Sequence, residues 1–341
     1  MLKMRRIIKL RFQNGLTFES FKKDVFDIAG LTAEYDFKES PDPDFIIFGP
    51  YGIDVPKPGN YVRIGYFCEN IKPDLSICDW AFGVIPEEMV NSPIYKRIQW
   101  HGLDPKKLIK PADYNASEIL SRKKYFCNFL YSHEVKYREE FFRQLSKYKK
   151  VDAPGVSMNN MNSIDSRYQG DVWERKRQFL GDYKFTIAFE NYIYPGYQTE
   201  KIYDAMQADS LPIYAGDPLI GKVFNTSSFV DSAEYLKPRS SLVINWLEKN
   251  SLLNFKDILP AYHKEPSSRL RRKLKSLGME LKMRYQFRKL DFSPMIDRII
   301  ELDRDDDKYI NVLQQPWLLG NRPLSNSSPK DQWRNIFGKP I

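Results

Sequence analysis

The segment from Phe185 to Ile202 reads Phe-Thr-Ile-Ala-Phe-Glu-Asn-Tyr-Ile-Tyr-Pro-Gly-Tyr-Gln-Thr-Glu-Lys-Ile and gathers Glu190, Asn191, Tyr197, Glu200 and Lys201. The apolar run ahead of Glu190 predicts a strand, the Gly/Pro-interrupted stretch a loop, and the residues from Thr199 a helix. Gln198 or Thr199 can cap that helix, whose free N–H groups attract anions. Lys201 in the first turn opposes the helix dipole, which makes sense if a bound diphosphate overrides the repulsion. Glu200 offers two acceptor oxygens suited to a vicinal diol such as a ribose. A carboxylate for the sugar and a lysine for the phosphates describe a nucleotide-diphosphate site. The same spacing also suits a polar turn before an ordinary exposed helix, because Glu–Lys pairs are common on helix surfaces. There is no Walker-type loop and no Gly-x-Gly-x-x-Gly, which disfavours a kinase or a dinucleotide dehydrogenase.

The elements that must position these residues alternate along the chain. Arg6–Phe12, Phe45–Gly49, Tyr61–Phe67, Trp80–Ile85 and Tyr125–Tyr131 read as strands, followed by a helix from about Val135 to Lys149. Val151–Gly155 reads as a strand and turn. A helix over Val172–Leu180 then precedes the strands Lys184–Phe189 and Leu211–Ala215, with the Thr199–Ala208 helix between them. Strands separated by helices predict α/β architecture with parallel sheets, in which ligands sit at the carboxyl edge. The expected division is 1–150 and 151–265, two α/β domains, and 266–341, a basic helix and tail. No internal repeat of fixed period is evident.

The main segment resembles the signature of glycosyltransferase family 10, the α-1,3/4-fucosyltransferases, here the bacterial type. The match runs through Phe-Glu-Asn and Gly-Tyr-x-Thr-Glu-Lys-Ile within Phe189–Ile202, then Pro-Ile-Tyr-x-Gly-x-Pro over Pro212–Pro218. Phe67-Cys-Glu-Asn70 with Cys78-Asp-Trp-Ala-Phe-Gly83 resembles the family's Glu-Asn block and the block after it. Phe126–Ser132 with Arg138 and Phe141 resembles a third block, so the likeness covers roughly residues 60 to 230.

The resemblance implies a GT-B fold, two Rossmann-like domains facing across a cleft, with 1–150 the acceptor-side domain and 151–265 the GDP-sugar-binding domain. It implies an inverting transferase that moves L-fucose from GDP-fucose to a GlcNAc- or Glc-containing glycan, with α-1,3 linkage the first reading. The same fold with another GDP-sugar or acceptor is the alternative, and a non-catalytic basic binding protein a minor one. Carried over by position, Glu200 holds the ribose, Lys201 a phosphate, Glu190, Asn191 and Tyr197 line the donor site, and Glu69 is the general base. No metal or other cofactor is required. One departure stands out: the family's phosphate-binding Arg has no counterpart in Ala153–Asn160, leaving Asn159 and Asn160, or Arg175 or Arg177, to contact the diphosphate.

Composition bounds the rest. The 341 residues carry 53 Lys+Arg against 44 Asp+Glu, a net charge of +9, with 42% hydrophobic residues, enough for a large core and against disorder. Cys68, Cys78 and Cys127 read as buried thiols of a reducing cytosol, and three histidines make a His-rich metal centre improbable. The N-terminus interrupts its apolar run with charges and lacks a small-residue cleavage site, so a signal peptide is not expected. No groove-reading or base-stacking array accompanies the charge, so nucleic acid is not the expected partner. Outside 266–290 the balance is 44 to 43, so the surplus sits in one segment with Leu270, Leu274, Leu277 and Leu281 at helical spacing. A solvated helix face explains it, or else attachment to an anionic membrane, on the inner face, where a lipid-linked acceptor would be met.

Overall fold

The computed structural model describes residues 5–69, 71–99, 101–250, 259–288, 290–323 and 329–338. The first sheet contains β1 (Arg6–Gln13), β2 (Tyr35–Glu39), β3 (Phe45–Phe48), β4 (Val62–Phe67), β5 (Trp80–Gly83) and β6 (Tyr95–Arg97), in the order β2-β1-β3-β4-β5-β6. The second contains β7 (Tyr125–Asn128), β8 (Val151–Asp152), β9 (Tyr183–Phe189), β10 (Leu211–Ala215) and β11 (Val230–Asp231), in the order β11-β10-β9-β7-β8. Among the described residues every pairing between these strands is parallel. Parallel strands covered on both faces become continuous apolar runs, and β3 and β10 are buried at every residue.

Both sheets are wound alike. Each begins in its interior, takes its second strand outward, then returns across the first to build the other side. The order reverses between β1 and β3 and again between β7 and β9, and such switch points leave a crevice at the strands' carboxyl ends. This duplication has no counterpart as a sequence repeat.

The division expected near residue 150 cuts the second sheet. Cys127 and Asn128 pair with Val151 and Asp152 on one side and with Phe185 and Thr186 on the other. The Asn128 amide also donates to Phe185 O at 3.2 Å and Thr186 Oγ1 at 2.8 Å. The sheets therefore part between Arg97 and Tyr125. Apolar periodicity marks a strand but carries no label for its sheet.

The helices are α1 (Phe18–Phe21), α2 (Glu87–Val90), α3 (Ala116–Ser121), α4 (Lys136–Leu145), α5 (Val172–Gly181), α6 (Glu200–Gln207) and α7 (Ser232–Tyr235). Beyond them lie α8 (Leu242–Lys249), α9 (Pro266–Phe287), α10 (Ser293–Arg304), α11 (Asp306–Gln314) and α12 (Pro329–Gly338). The last helices are structural rather than a tail. Met295, Ile299, Leu302, Tyr309, Leu313, Trp317 and Leu318 join the core of the second sheet. Trp333, Ile336 and Phe337 of α12 return to the core of the first, with the Trp333 ring stacked 4.3 Å from Phe82.

Helix α9 turns its leucines the other way from an ordinary amphipathic surface helix. Leu270, Leu274, Leu277 and Leu281 are each more than half exposed, while Lys275, Met279 and Phe287 are buried. Met279 packs with Ile244 of α8, with Val84 and Ile85 beyond β5, and with Tyr194 and Tyr197. This cluster joins the two sheets, helped by Arg97 Nη2 donating to Gly196 O at 3.2 Å and a 3.1 Å Lys222–Glu88 pair.

Candidate functional site

Glu190 ends the buried run of β9 and is itself 0% exposed. A carboxylate in that position must be paired or neutral, and its partners are at the start of α6. Thr199 is the N-cap, yet its side chain does not cap its own helix. Instead Thr199 N donates to Glu190 Oε1 at 2.9 Å and Thr199 Oγ1 donates to Glu190 Oε2 at 2.7 Å. Lys201 Nζ lies 3.3 Å from both Glu190 and Glu200 and donates to Thr199 Oγ1 at 2.9 Å. The cation at N2 thus stands between two carboxylates, which explains how it is tolerated against the dipole.

The charges reinforce one another. Burial alone would lower the Lys201 ammonium, but Glu190 and Glu200 outweigh it and hold its pKa above the ordinary value. Burial pushes Glu190 up, against Lys201 and the Thr199 hydrogen bonds. Burial would raise Glu200 as well, but Lys201 and Lys176 keep it below the usual carboxylate range, an acceptor ready for a diol.

Two further residues hold the loop. Asp217 Oδ1 accepts from Gly196 N and Leu219 N, both at 2.8 Å, and Asp217 Oδ2 accepts from Gln198 Nε2 at 2.7 Å. Gly196 adopts φ +86°, and a Cβ there would stand 2.6 Å from Val84 O, so only glycine lets the loop touch the first sheet's side. From α4, Arg138 donates to Asn191 Oδ1 at 3.1 Å and Phe189 O at 3.3 Å, its guanidinium lying 3.5 Å over the Tyr131 ring. Tyr137 donates its hydroxyl to Glu190 O. Asn191 is therefore oriented by the α4 arginine, and Tyr197 is fixed in the junction cluster.

Glu69 follows the carboxyl end of β4 and faces this constellation from the other sheet. Partial burial raises its carboxyl, Lys201 opposes the rise, and Glu200 and Glu190 add to it. Tyr197 in turn feels the charges of Glu69, Glu190 and Glu200. The carboxyl ends of both sheets thus bring Glu69 and the α6 start into one electrostatic field.

The expected phosphate contacts divide differently. Asn160 spends its amide on β8, accepting from Ala153 N and donating to Val151 O, both at 2.8 Å. Asn159 donates to Gly155 O and Met161 O within its own turn. Arg175 is occupied by Gly170 O at 2.6 Å and by Asp165. Arg177 reaches the field of buried Asp204 as a weaker charge than Lys176. Lys176, which the sequence reading passed over, lies 2.7 Å from Asp204 on α6 and lowers Glu200. At about 100° per residue only one of three neighbours on α5 can face α6, and the signal was there in that spacing. Asp217, an unspecified position of the Pro212–Pro218 motif, was missed as well.

Residues 120–252 match the family model described as glycosyltransferase family 10 (fucosyltransferase) C-term. That stretch of the chain is similar to glycosyltransferase family 10. It is similar to a putative fucosyltransferase of Acanthamoeba polyphaga mimivirus, 36% identical over 115 residues, covering 33% of this chain and 19% of that one. It is similar to an alpha-(1,3)-fucosyltransferase of Helicobacter pylori, 25% identical over 236 residues, covering 57% of this chain and 48% of the relative. The matches thus span less than half the length of these two relatives. A crystal structure of an alpha1,3-fucosyltransferase superposes over 99% of this chain and 91% of its own, with TM-score 0.65 and 20% identity. Another, solved with GDP-fucose, superposes with TM-score 0.65 at 19% identity over 100% and 93% of the two chains. The fold is GT-B.

Proposed function

We propose that this protein transfers L-fucose from GDP-fucose to a GlcNAc- or Glc-containing glycan, with inversion and an α-1,3 linkage. The observation that carries the reading is the Glu190–Lys201–Glu200 arrangement at the start of α6, faced by Glu69 from the opposite sheet. Glu200 takes the ribose diol and Lys201 the diphosphate, with Asn191 and Tyr197 lining the fucose side. Glu69 accepts the proton of the acceptor hydroxyl as its oxygen bonds to the anomeric carbon. The bond from that carbon to phosphate oxygen breaks, and GDP leaves with the electron pair. Lys201 and the α6 N–H groups receive the charge on GDP, so the reading calls for no divalent cation. The family match and the relatives named as fucosyltransferases support the donor.

GDP titration calorimetry and GDP-fucose turnover test it. Glu200→Ala and Lys201→Ala are each expected to weaken GDP binding at least about tenfold, the loss of one charge-assisted hydrogen bond. Unchanged GDP affinity and turnover in both variants would remove the site assignment.

We further infer that α8 and α9 seat the protein on an anionic membrane surface, where a lipid-linked acceptor would be met. Among the described residues no helix is long and apolar enough to cross a membrane. The support is the exposed leucine stripe of α9 among the Lys and Arg of 266–290; α8, joined to α9 by the 2.8 Å Lys282–Glu248 pair, leaves Leu242 89% exposed.

A further inference from the structure

The acceptor side of the cleft holds an aromatic side chain that neither the fold nor the donor site accounts for. Tyr51 lies just beyond β3, at the first sheet's switch point, and is 50% exposed, with Ile53 70% exposed two residues on. The register of β3 with β4 ends at Phe48↔Gly65, so both chains leave the sheet at the same edge, with Tyr51 three residues beyond it and Glu69 four. The Glu69 charge reaches Tyr51: after burial, it is the next influence raising the Tyr51 hydroxyl. Tyr51 also acts on Tyr197 from across the cleft.

The turn that carries Tyr51 is built to stay in place. Asn14, after β1, accepts from Asp54 N at 2.8 Å, and Gly49 N donates to Gln13 O at 3.2 Å. Gly52 takes φ +106°, and a Cβ there would stand 2.9 Å from Asn14 Oδ1, so the backbone can close on Asn14 only as glycine. Asn14 and Gly15 are both left-handed, and a Cβ on Gly15 would stand 3.6 Å from Tyr51 Cβ. The turn thus presents a half-exposed aromatic face in a fixed place at the carboxyl edge of the first sheet, within the field of Glu69.

We propose that Tyr51, carried with Ile53 on the turn held by Asn14, is the platform on which the acceptor's hexopyranose ring stacks beside Glu69. A glucose-configured ring carries its substituents equatorially, so both faces present axial C–H bonds suited to an aromatic face. Stacking there sets one rim hydroxyl toward Glu69 and leaves the donor's anomeric carbon on the second-sheet side. The proposal rests on the transfer reaction proposed above and specifies its acceptor subsite.

The test uses the full chain with GDP-fucose and N-acetyllactosamine, and lactose in a parallel arm. Acceptor-independent hydrolysis of GDP-fucose serves as the donor control. Tyr51→Ala is expected to raise the acceptor KM about tenfold while donor KM and hydrolysis stay unchanged, and Tyr51→Phe, which keeps the ring, to stay within about twofold of the native enzyme. Saturation-transfer NMR on the protein with GDP should show the sugar's C–H face receiving magnetisation, and that signal should vanish in Tyr51→Ala. An acceptor KM and NMR signal indifferent to Tyr51→Ala overturn the platform. Equal damage by Tyr51→Phe overturns stacking in favour of the hydroxyl. Failure of the native protein to hydrolyse or bind GDP-fucose sinks the donor reading instead, and the NMR arm alone then decides the saccharide site.

Discussion

At the scale of single residues, the site depends on carboxylates that differ in surroundings rather than in type. Glu200 is held ionised by two lysines, Glu190 is buried and tied to Thr199, and Glu69 has its pKa raised by partial burial near both. A base must be unprotonated to act, so a raised pKa moves the acid limb of turnover to higher pH. The expected limb lies above the unperturbed 4.5 of a glutamate, and a pH–rate profile checks it. Glu69→Gln should lower turnover by roughly 10²–10⁴-fold, remove that limb, and leave GDP affinity unchanged by calorimetry. A variant that keeps native turnover would assign the proton to another group. Glu200 and Lys201 stand out in the sequence because their types and order carry chemistry, and the structure brings them together with Glu190. Lys176 and Asp217 were not, because each acts through a partner distant in sequence, Asp204 for one and the Gly196–Gln198 loop for the other.

Among elements, the strands were legible from apolar runs, since parallel strands buried on both faces admit little else. β2, β6 and β11 escaped because they are edge strands, short or half polar. Helix α12 was read as part of a tail, since its aromatic residues find a core only after the chain returns to the first sheet. That return is secured by Glu34 against Arg334 at 2.6 Å and Lys330 at 2.9 Å. The two cations hold the Glu34 carboxyl down to about 2, though an exposed pair of this kind adds little stability. The apolar contact weighs more. Trp333 is fully buried against Phe82, Phe21 and Phe26, and Trp333→Ala should cost about 3–5 kcal/mol in chemical denaturation. A loss below about 1 kcal/mol would mean that α12 merely rests on the sheet.

For the molecule as a whole, surface charge and surface hydrophobicity coincide on one helix. Membrane seating at α9 should show as co-sedimentation with vesicles containing phosphatidylserine and not with phosphatidylcholine alone. Each basic side chain near such a surface contributes about 1 kcal/mol, so binding should weaken as salt shortens the screening length. Leu274→Glu combined with Leu277→Glu should abolish it while leaving GDP affinity intact, because both side chains point away from the Met279 junction. Co-sedimentation insensitive to lipid charge and to this double change would leave the leucine stripe without its proposed occupant.

What the sequence determined by itself was local. The order of strands and helices follows from apolar periodicity, and the proposed donor segment from a carboxylate, a loop and a lysine at a helix start. These features are written within a few turns of chain, where propensity and spacing act. The tertiary structure decided what depends on distant partners. It assigned β7 to the second sheet, turned the α9 leucines outward and α12 inward, and set Glu69 and Tyr51 opposite Lys201 and Tyr197. Strand pairing and burial are contests among all the chain's surfaces at once, and no window of sequence contains the competitors.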